Sequence, residues 1–366
     1  MPVDFGIVDA HVHQWDPFTT PRGSTPLAKL LRPWPDLYRR VCGKLAPKSL
    51  REFAGGTDHL VMPFLPSDLA AGFGGLKVDA VVHVEAGWMD LRPLGPAGET
   101  RWLEGLPFQA AGTRLGAIVA HADLRSPRVG ELLSAHAAAS PKFVGIRHMA
   151  SHHPDRGVFA WSRRPRLYVD AKFLRGFETL ATRGLRFDAW VYSTQLADVT
   201  ALADRFPQVP IVLDHLGTPV GAAGPVAGVG ATGGERERIV GAWREGLAAL
   251  SERKNVSAKI SGLTMPVIGF GYHARTSPPG LDELTSGIGP FVRHALDVFG
   301  TERCFFASNF PMDKVSAPYE RHFEAFAQLA AERGPHAARA LLRDNAMRFY
   351  AIPRTSGGDV AVERAS

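Results

Sequence analysis

Residues 6–15 of the chain read GIVDAHVHQW, a short apolar run that ends in two histidines. Ile7 and Val8 favour a β-strand, and the alternation of side chains along a strand places His11 and His13 on one face. A short, mostly apolar strand is typical of a parallel sheet that is buried on both sides. The stretch therefore predicts a buried strand that carries two imidazoles at its carboxyl end.

Seven further runs of the same character follow along the chain, and stretches with helical spacing lie between most of them. A strand followed by a helix, repeated about eight times, predicts a (β/α)8 TIM barrel. A doubly wound open sheet is the alternative, and it is weakened because no Gly-rich phosphate loop follows the first strand. The later predicted strands are Val78–Gly87, Leu115–Leu124, Phe143–Met149, Leu185–Tyr192, Pro210–Gly217, Val256–Gly262 and Cys304–Pro311. The predicted helices are Arg128–Ser140, Ala171–Thr182, Gln195–Phe206, Glu237–Arg253, Gly289–Phe299, Tyr319–Arg333 and His336–Tyr350.

Three connections are longer than the usual two to six residues or so. Residues 16–77 follow the first strand, and we expect them to form a lid. Residues 218–234 are rich in glycine, which predicts a loose loop, and residues 269–287 are irregular. In a barrel all three lie at the carboxyl ends of the strands, where active sites are built. We expect one barrel domain over residues 1–352, including the lid, and a flexible tail over residues 353–366.

Composition excludes several classes of protein. The chain has 366 residues, a formal net charge of +6 and two cysteines, Cys42 and Cys304. The small basic excess is scattered, which argues against nucleic-acid binding, and two cysteines cannot form a disulfide framework. There is no apolar stretch of membrane-spanning length and no visible export signal, so we expect a cytoplasmic protein without a membrane partner. A homo-oligomer is compatible with the sequence.

Polar residues stand at the end of every predicted strand, and such groups need partners in a packed core. They predict a polar pocket for a small-molecule substrate at this end of the barrel. Glu85 could instead form an ion pair inside the barrel with Lys259 or Arg147. The candidates for substrate binding are His83, Glu85, Arg147, His148, Tyr192 and Lys259.

The motifs IVDAHVHQWDP, VVHVEAGW, GIRHM, DHLGTP and FASNFPMDK, in this order, resemble the amidohydrolase superfamily. The closer resemblance is to its amidohydrolase-related branch, which includes sugar-lactone and pyrone-dicarboxylate lactonases. The resemblance implies a (β/α)8 barrel with the site at the strand ends. It matches His11 and His13 to the first-strand pair and His215 to the sixth-strand histidine. It also matches Arg147 to an arginine suited to a substrate carboxylate.

The eighth strand departs from this family's pattern. Many relatives have a general-base aspartate where this chain has Asn309, and an amide has no useful basicity near pH 7. Asn309 can orient water or donate to an oxyanion. Asp313 follows four residues later, where it could reach back as the base or pair with a neighbouring cation instead.

Three functions are compatible with these residues. The first is a hydrolase that opens a lactone or related cyclic ester of a carboxylate- or hydroxyl-bearing substrate, with His11, His13, His215, Asn309 and Asp313 as catalytic candidates. The second is a lyase, decarboxylase or isomerase on the same barrel, because Asn309 replaces the usual aspartate. The third is a ligand-binding barrel without turnover. One divalent ion, Zn or Mn, could be held by His11, His13 and His215, and no organic cofactor is expected.

Overall fold

The barrel predicted from the sequence is present. The computed structural model describes residues 4–354, in which eight parallel strands pair in chain order from the first to the last. The strands are β1 Ile7–Val12, β2 Val78–Val84, β3 Leu115–His121, β4 Phe143–Arg147, β5 Arg186–Ala189, β6 Ile211–Leu213, β7 Val256–Ile260 and β8 Cys304–Phe306.

Helices cover the outside of the barrel and pack on the outward faces of the strands, where the larger part of the apolar core lies. The described helices are α1 Thr25–Leu30, α2 Pro35–Leu45, α3 Lys48–Ala54, α4 Asp58–Val61, α5 Pro66–Ala70, α6 Ala97–Glu104, α7 Val129–Ala139, α8 Ala171–Ala181, α9 Leu196–Arg205, α10 Gly233–Ser251, α11 Leu281–Phe299, α12 Tyr319–Ala331, α13 Pro335–Arg339 and α14 Asn345–Phe349. Short 3₁₀ turns occupy Leu167–Val169, Ser193–Gln195, Asp214–Gly217, Pro266–Ile268, Tyr272–Ala274, Thr301–Arg303 and Asp313–Val315.

The barrel is nearly closed by contacts between β1 and the segment that follows β8. Val12 forms a parallel bridge with Phe310. The backbone N–H of His13 donates to the Phe310 carbonyl at 2.8 Å, and the N–H of Asn309 donates to the His11 carbonyl at 2.9 Å. These bonds bring the ends of the first and last strands, and the polar residues on them, to one place.

All eight strands lie within the predicted runs, and three predicted helices differ from the observed ones. The helix predicted from Glu237 begins four residues earlier, at Gly233. The helix predicted from Gly289 begins at Leu281, so the irregular segment before it is shorter than expected. The Gly289-Pro290 pair predicts a helix start, yet the helix continues through Pro290 because its apolar face packs on the barrel on both sides of that residue. The helix predicted over His336–Tyr350 is split into α13 and α14 by a π turn.

The segment that follows β1, residues 16–77, folds into five short helices, α1 to α5. Trp15 pairs with Phe64 in an antiparallel bridge, which fastens the far end of the segment back to β1. Tyr38 is fully buried in a small apolar cluster of its own. The segment thus has its own core beside the mouth of the barrel, and its action as a lid stays a prediction.

The Gly-rich loop after β6 is more tightly packed than its composition predicts. The N–H groups of Gly221 and Ala223 donate to the carbonyls of Val267 and Ile268 at 3.0 and 2.9 Å. A Cβ on Gly224 would lie 2.4 Å from the carbonyl oxygen of a neighbouring glycine, so only glycine permits this approach of two backbones. The glycines of this loop therefore allow close backbone packing, whereas the glycine-rich sequence predicted a loose loop.

Within residues 4–354, every helix is too short or too polar to cross a membrane. The predicted flexible tail, residues 353–366, lies almost wholly outside the described residues.

Candidate functional site

An irregularity at the end of β1 sets the position of the two histidines. The register of β1 against β2 shifts between Asp9 and Val12. The buried Asp9 carboxylate accepts hydrogen bonds from the Ser308 N–H and the Tyr319 hydroxyl, both at 2.9 Å. Burial raises the pKa of Asp9 to about 6. Asp9 therefore ties β1 to the end of β8 and to α12, just before the histidine pair.

His11 and His13 face each other, with their Nε2 atoms 3.2 Å apart. His13 Nδ1 lies 2.7 Å from the Val84 carbonyl, which only accepts, so Nδ1 carries the hydrogen and Nε2 a lone pair. His11 has a cationic donor near each ring nitrogen, because the Lys259 ammonium lies 3.1 Å from Nδ1 and Arg147 Nη1 lies 3.3 Å from Nε2. Burial lowers the pKa of both imidazoles well below the usual value, and both are neutral.

Lys259 is buried at the centre of a charged network. Its Nζ lies 2.6 Å from Asp188, 2.9 Å from Asp214 and 3.1 Å from His11 Nδ1. The Tyr350 hydroxyl donates to Asp188 at 2.8 Å, and burial raises the pKa of Asp188 to about 6. Lys259 is fully buried among these three groups. Its predicted contact with substrate stays a prediction.

Arg147 forms an ion pair with Glu85, as the structural alternative for Glu85 predicted. Arg147 Nε donates to the Glu85 carboxylate at 2.9 Å, and Nη2 donates to the Glu85 carbonyl at the same distance. Nη1 lies 3.3 Å from His11 Nε2 and 4.0 Å from Asp214. The planar fork that would grip a substrate carboxylate is therefore directed at Glu85. Its Nε and Nη2 are thus occupied by Glu85, and the predicted role of Arg147 as the carboxylate anchor stays a prediction.

His215 stands directly after β6 in a left-handed turn, with φ of 55°. Its Nδ1 lies 2.8 Å from the Ser261 hydroxyl. No described residue hydrogen-bonds its Nε2, and the ring lines the cavity. Burial, followed by the neighbouring His11, lowers the pKa of His215 well below the usual value. His215 therefore offers a neutral imidazole edge to a ligand.

Asn309 also adopts a left-handed conformation, with φ of 58°, and its side chain lines the cavity. Its Nδ2 donates to Asp313 Oδ2 at 2.6 Å, and no described residue hydrogen-bonds its Oδ1. The other Asp313 oxygen accepts from the Thr264 N–H at 3.0 Å and from the Thr264 hydroxyl. Burial raises the pKa of Asp313 to about 7. Asp313 thus lies behind Asn309 with both oxygens engaged by Asn309 and Thr264, and its predicted role as a base stays a prediction.

These side chains surround a cavity of about 100 Å³ at the carboxyl ends of the strands. Its polar wall combines neutral groups with one compensated ion pair, and the rest is largely aromatic and apolar. The polar wall consists of His13, Glu85, Arg147, His215 and Asn309, together with Arg22. The remaining wall consists of Trp15, Phe53, Leu60, Ala86, Gly87, Met149, Trp161, Trp190, Met265 and Met312.

Three of the predicted substrate-binding residues lie elsewhere. His83 is buried with Nε2 3.6 Å from Glu99 on α6, so it faces the helix layer. The Tyr192 hydroxyl donates to a backbone carbonyl at 2.6 Å. His148 Nδ1 accepts from a backbone N–H at 3.3 Å and borders a separate surface groove. His148 and Tyr192 follow the last residues of β4 and β5, and beyond a strand end the alternation of side chains no longer predicts their direction.

Arg22 and Asp214 are site residues that the sequence did not identify. Arg22 comes from the segment after β1, and its guanidinium donates to the Ala86 carbonyl and lies 4.8 Å from the centroid of the Trp15 ring. No periodic pattern marks it. One ligand atom each of His11, Asp214 and His215 lies within 4.8 Å of the others. The adjacency of Asp214 to His215 was a signal that sequence reasoning left unused.

Comparison with known proteins agrees with this fold. A sequence profile of the amidohydrolase family, Amidohydro_2, matches residues 8–352. The uncharacterized protein y4mH of Sinorhizobium fredii is 30% identical over 349 residues, which cover 95% of this chain and 99% of the relative. An L-fucono-1,5-lactonase of Burkholderia ambifaria is 28% identical over 305 residues, with 82% of this chain and 89% of the relative covered.

A crystal structure of an amidohydrolase from Burkholderia multivorans with bound Zn shares the fold. Its TM-score is 0.66 at 24% identity, and the match covers 95% of this chain and all of that one. The profile match spans almost the whole barrel and includes every strand that carries a site residue. The chain therefore belongs to the amidohydrolase family and is an enzyme of that superfamily.

Proposed function

We propose that this enzyme hydrolyses a lactone of a small, hydroxyl-rich acid, of the sugar-lactone class. The proposal rests on His215 and Asn309, two neutral side chains that line the same small cavity. None of the described residues hydrogen-bonds His215 Nε2 or Asn309 Oδ1. The likeness to proteins named L-fucono-1,5-lactonase supports this substrate class.

In this proposal His215 is the general base. Its Nε2 takes a proton from water, and the water oxygen attacks the lactone carbonyl carbon. The tetrahedral intermediate then breaks the bond to the ring oxygen, and the protonated His215 returns its proton to that oxygen. Asn309 Oδ1 accepts from the attacking water and fixes its direction. The product is an open-chain hydroxy acid, which releases a proton near pH 7.

Arg22 is the cation we assign to substrate recognition in place of Arg147. It is half-buried, it lines the cavity, and the one described hydrogen bond of its guanidinium goes to the Ala86 carbonyl. Its other donors are available for substrate hydroxyls or a carboxylate. Trp15 and Trp190 supply flat apolar faces against which a sugar ring can pack.

The buried donors also fit one divalent ion. The His11 and His13 Nε2 atoms are 3.2 Å apart, and two ligands about 2.0–2.1 Å from a tetrahedral Zn are separated by about 3.3 Å. Asp214 lies beside these imidazoles, with Oδ1 3.7 Å from His11 Nδ1, and the Lys259 ammonium 2.9 Å away compensates its charge. His11 and His13 would hold the ion through their Nε2 atoms, with Asp214 beside them, whereas His215 keeps its Nε2 for water in this proposal. A bound ion would polarise the lactone carbonyl.

A lyase or decarboxylase is the second candidate, and Asn309 is the observation that favours it. The amide at the end of β8 cannot take a proton from water, whereas a reaction without a water nucleophile needs no base there.

A substrate panel separates the hydrolase from the lyase or decarboxylase. Sugar 1,5-lactones and pyrone carboxylates are assayed in parallel for proton release and for CO2 release. We expect proton release with at least one sugar lactone, and its loss in His215→Ala. The matched control His336→Ala, at an exposed histidine, should keep full activity. CO2 release without lactone opening would instead establish the second candidate.

Metal analysis of protein purified without chelators tests the ion. We expect about one Zn or Mn per chain, lost in His11→Ala. Protein without any divalent ion would refute the ligand assignment while leaving the lactone proposal in place.

A further inference from the structure

Three buried side chains behind Asn309 have no part in the reaction proposed above. Asp313 accepts from Asn309 Nδ2 at 2.6 Å, and its other oxygen contacts the Thr264 hydroxyl. That hydroxyl also lies 2.8 Å from Nε2 of His322, which α12 places 2% exposed. The three groups form one line from the cavity wall to the helix layer.

When Asp313 is ionised and His322 is neutral, these three groups have one hydrogen too few to satisfy both contacts of the Thr264 hydroxyl. His322 Nδ1 lies 3.0 Å from the Pro318 carbonyl, which only accepts, so Nδ1 carries the hydrogen and Nε2 a lone pair. The Thr264 hydroxyl has a single hydrogen, and two acceptors claim it: Asp313 Oδ1 and His322 Nε2. One additional proton on either acceptor satisfies both contacts.

We propose that Asp313, Thr264 and His322 hold one exchangeable proton behind Asn309, and that Asp313 is a positioning residue whose ionisation state controls how firmly the amide of Asn309 is held. With the proton on Asp313 Oδ1, Asp313 donates to Thr264 and Thr264 donates to His322. When the proton leaves to solvent, the Thr264 hydroxyl turns to the carboxylate and His322 Nε2 loses its donor. The positioning role rests on the proposed function, whereas the stored proton does not.

The surroundings place the proton on the carboxyl group. Burial raises the pKa of Asp313 to about 7 and lowers the pKa of His322 to about 4, so the uncharged pair is favoured over the ionised one. His322 otherwise faces the rings of Phe310 and Phe326. Among the described residues, no other charged side chain forms a hydrogen bond or ion pair with either group.

Nuclear magnetic resonance of protein labelled with ¹⁵N-histidine tests the stored proton without any substrate. The His322 signals are assigned with His322→Gln. We expect His322 to keep hydrogen on Nδ1 from pH 5 to 9, while its Nε2 shift moves with a midpoint near pH 7. Asp313→Asn should abolish that movement, and the matched control Asp282→Asn, at an exposed carboxylate, should preserve it. A flat Nε2 shift, or the same movement in Asp313→Asn, would overturn the proposal.

The positioning role is tested on the lactone that the wild-type enzyme opens fastest. Asp313→Asn should retain activity but lose the change in kcat that occurs near pH 7, and Thr264→Val should do the same while Thr264→Ser restores it. An unaltered pH profile in Asp313→Asn would refute the positioning role. If the enzyme opens no lactone, the proposed function fails and the stored proton is still decided by the resonance experiment.

Discussion

At the scale of single residues, neutral imidazoles and an amide stand among compensated charges at the cavity. Lys259 is compensated by Asp188 and Asp214, and Arg147 by Glu85. Burial and the neighbouring cations keep the histidines neutral, because both oppose protonation of an imidazole. The site therefore combines buried charged groups with neutral imidazoles whose lone pairs can accept a proton.

Lys259→Met tests how far the internal charges depend on one another. The substitution leaves two buried carboxylates without their cation, and we expect the free energy of unfolding to fall by about 3–5 kcal/mol in urea titrations. Lys142→Met removes a half-exposed pair with Glu104 and should cost less than about 1 kcal/mol. Equal losses in the two variants would mean that the Lys259 network is not a stabilising unit.

Arg22→Met tests substrate recognition. Loss of a charge-assisted hydrogen bond to substrate is worth about 1.5–3 kcal/mol, so KM should rise about 10- to 100-fold with kcat little changed. Arg32→Met, at an exposed arginine of the same segment, is the control. If KM is unchanged in Arg22→Met while Arg147→Met raises it, the assignment of the two arginines is reversed.

Asn309→Asp tests the amide at the end of β8. A carboxylate there would lie next to Asp313, and the two would compete for one proton, so we expect kcat at pH 8 to fall at least about tenfold. The double variant Asn309→Asp with Asp313→Asn exchanges the two groups and should restore most of the activity. A single variant that is as fast as the wild type would show that the amide has no special role.

At the scale of elements, the strand ends could be predicted from the sequence because each apolar run stops at a polar cluster. The histidine pair on β1, Glu85 after β2 and Asn309 after β8 were found in this way. The partners of Arg147 and Lys259 could not be assigned uniquely, since pairing across the barrel depends on register and on the bulge in β1. Arg22 could not be found either, because it lies in an irregular segment without periodicity.

Two helical glycines test how the helices pack. A Cβ on Gly176 of α8 would lie 1.8 Å from the backbone oxygen of Leu124, so Gly176→Ala should destabilise the protein by at least about 1–3 kcal/mol. Nothing lies within 4 Å of the same position on Gly241 of α10, and Gly241→Ala should stabilise by about 0.5–1 kcal/mol. Urea titration of both variants measures the difference. A stabilising Gly176→Ala would mean that α8 can move away from the barrel.

At the scale of the whole molecule, buried histidines and buried carboxyl groups make stability depend on pH in opposite directions. Histidines with a lowered pKa stay neutral in the folded state, so their contribution is lost as pH falls below about 6.5. Carboxyl groups with a raised pKa stabilise the fold below about pH 4, and that contribution is lost as pH rises through 6 to 7. The histidines are His59, His136, His148 and His322, and the carboxyl groups are Asp9, Asp188 and Asp313.

These four histidines, together with His11, His13 and His215 at the cavity, outnumber the three carboxyl groups. We expect the thermal midpoint of metal-free protein to rise between pH 5 and pH 6.5 and to change little above pH 7. Melting curves in chelator at pH 5, 6.5 and 8 measure this. A highest midpoint at pH 5 would show that the carboxyl groups dominate.

In the proposed mechanism, opening of the lactone depends above all on His215 as the general base. The decisive quantity is kcat/KM of His215→Ala relative to wild type, on the sugar lactone that the wild type opens fastest, in variants whose thermal midpoints are matched. Removal of a general base should lower it by about 10²- to 10⁴-fold. If His215→Ala opens the lactone at the wild-type rate, the proton goes elsewhere and the proposed mechanism is wrong.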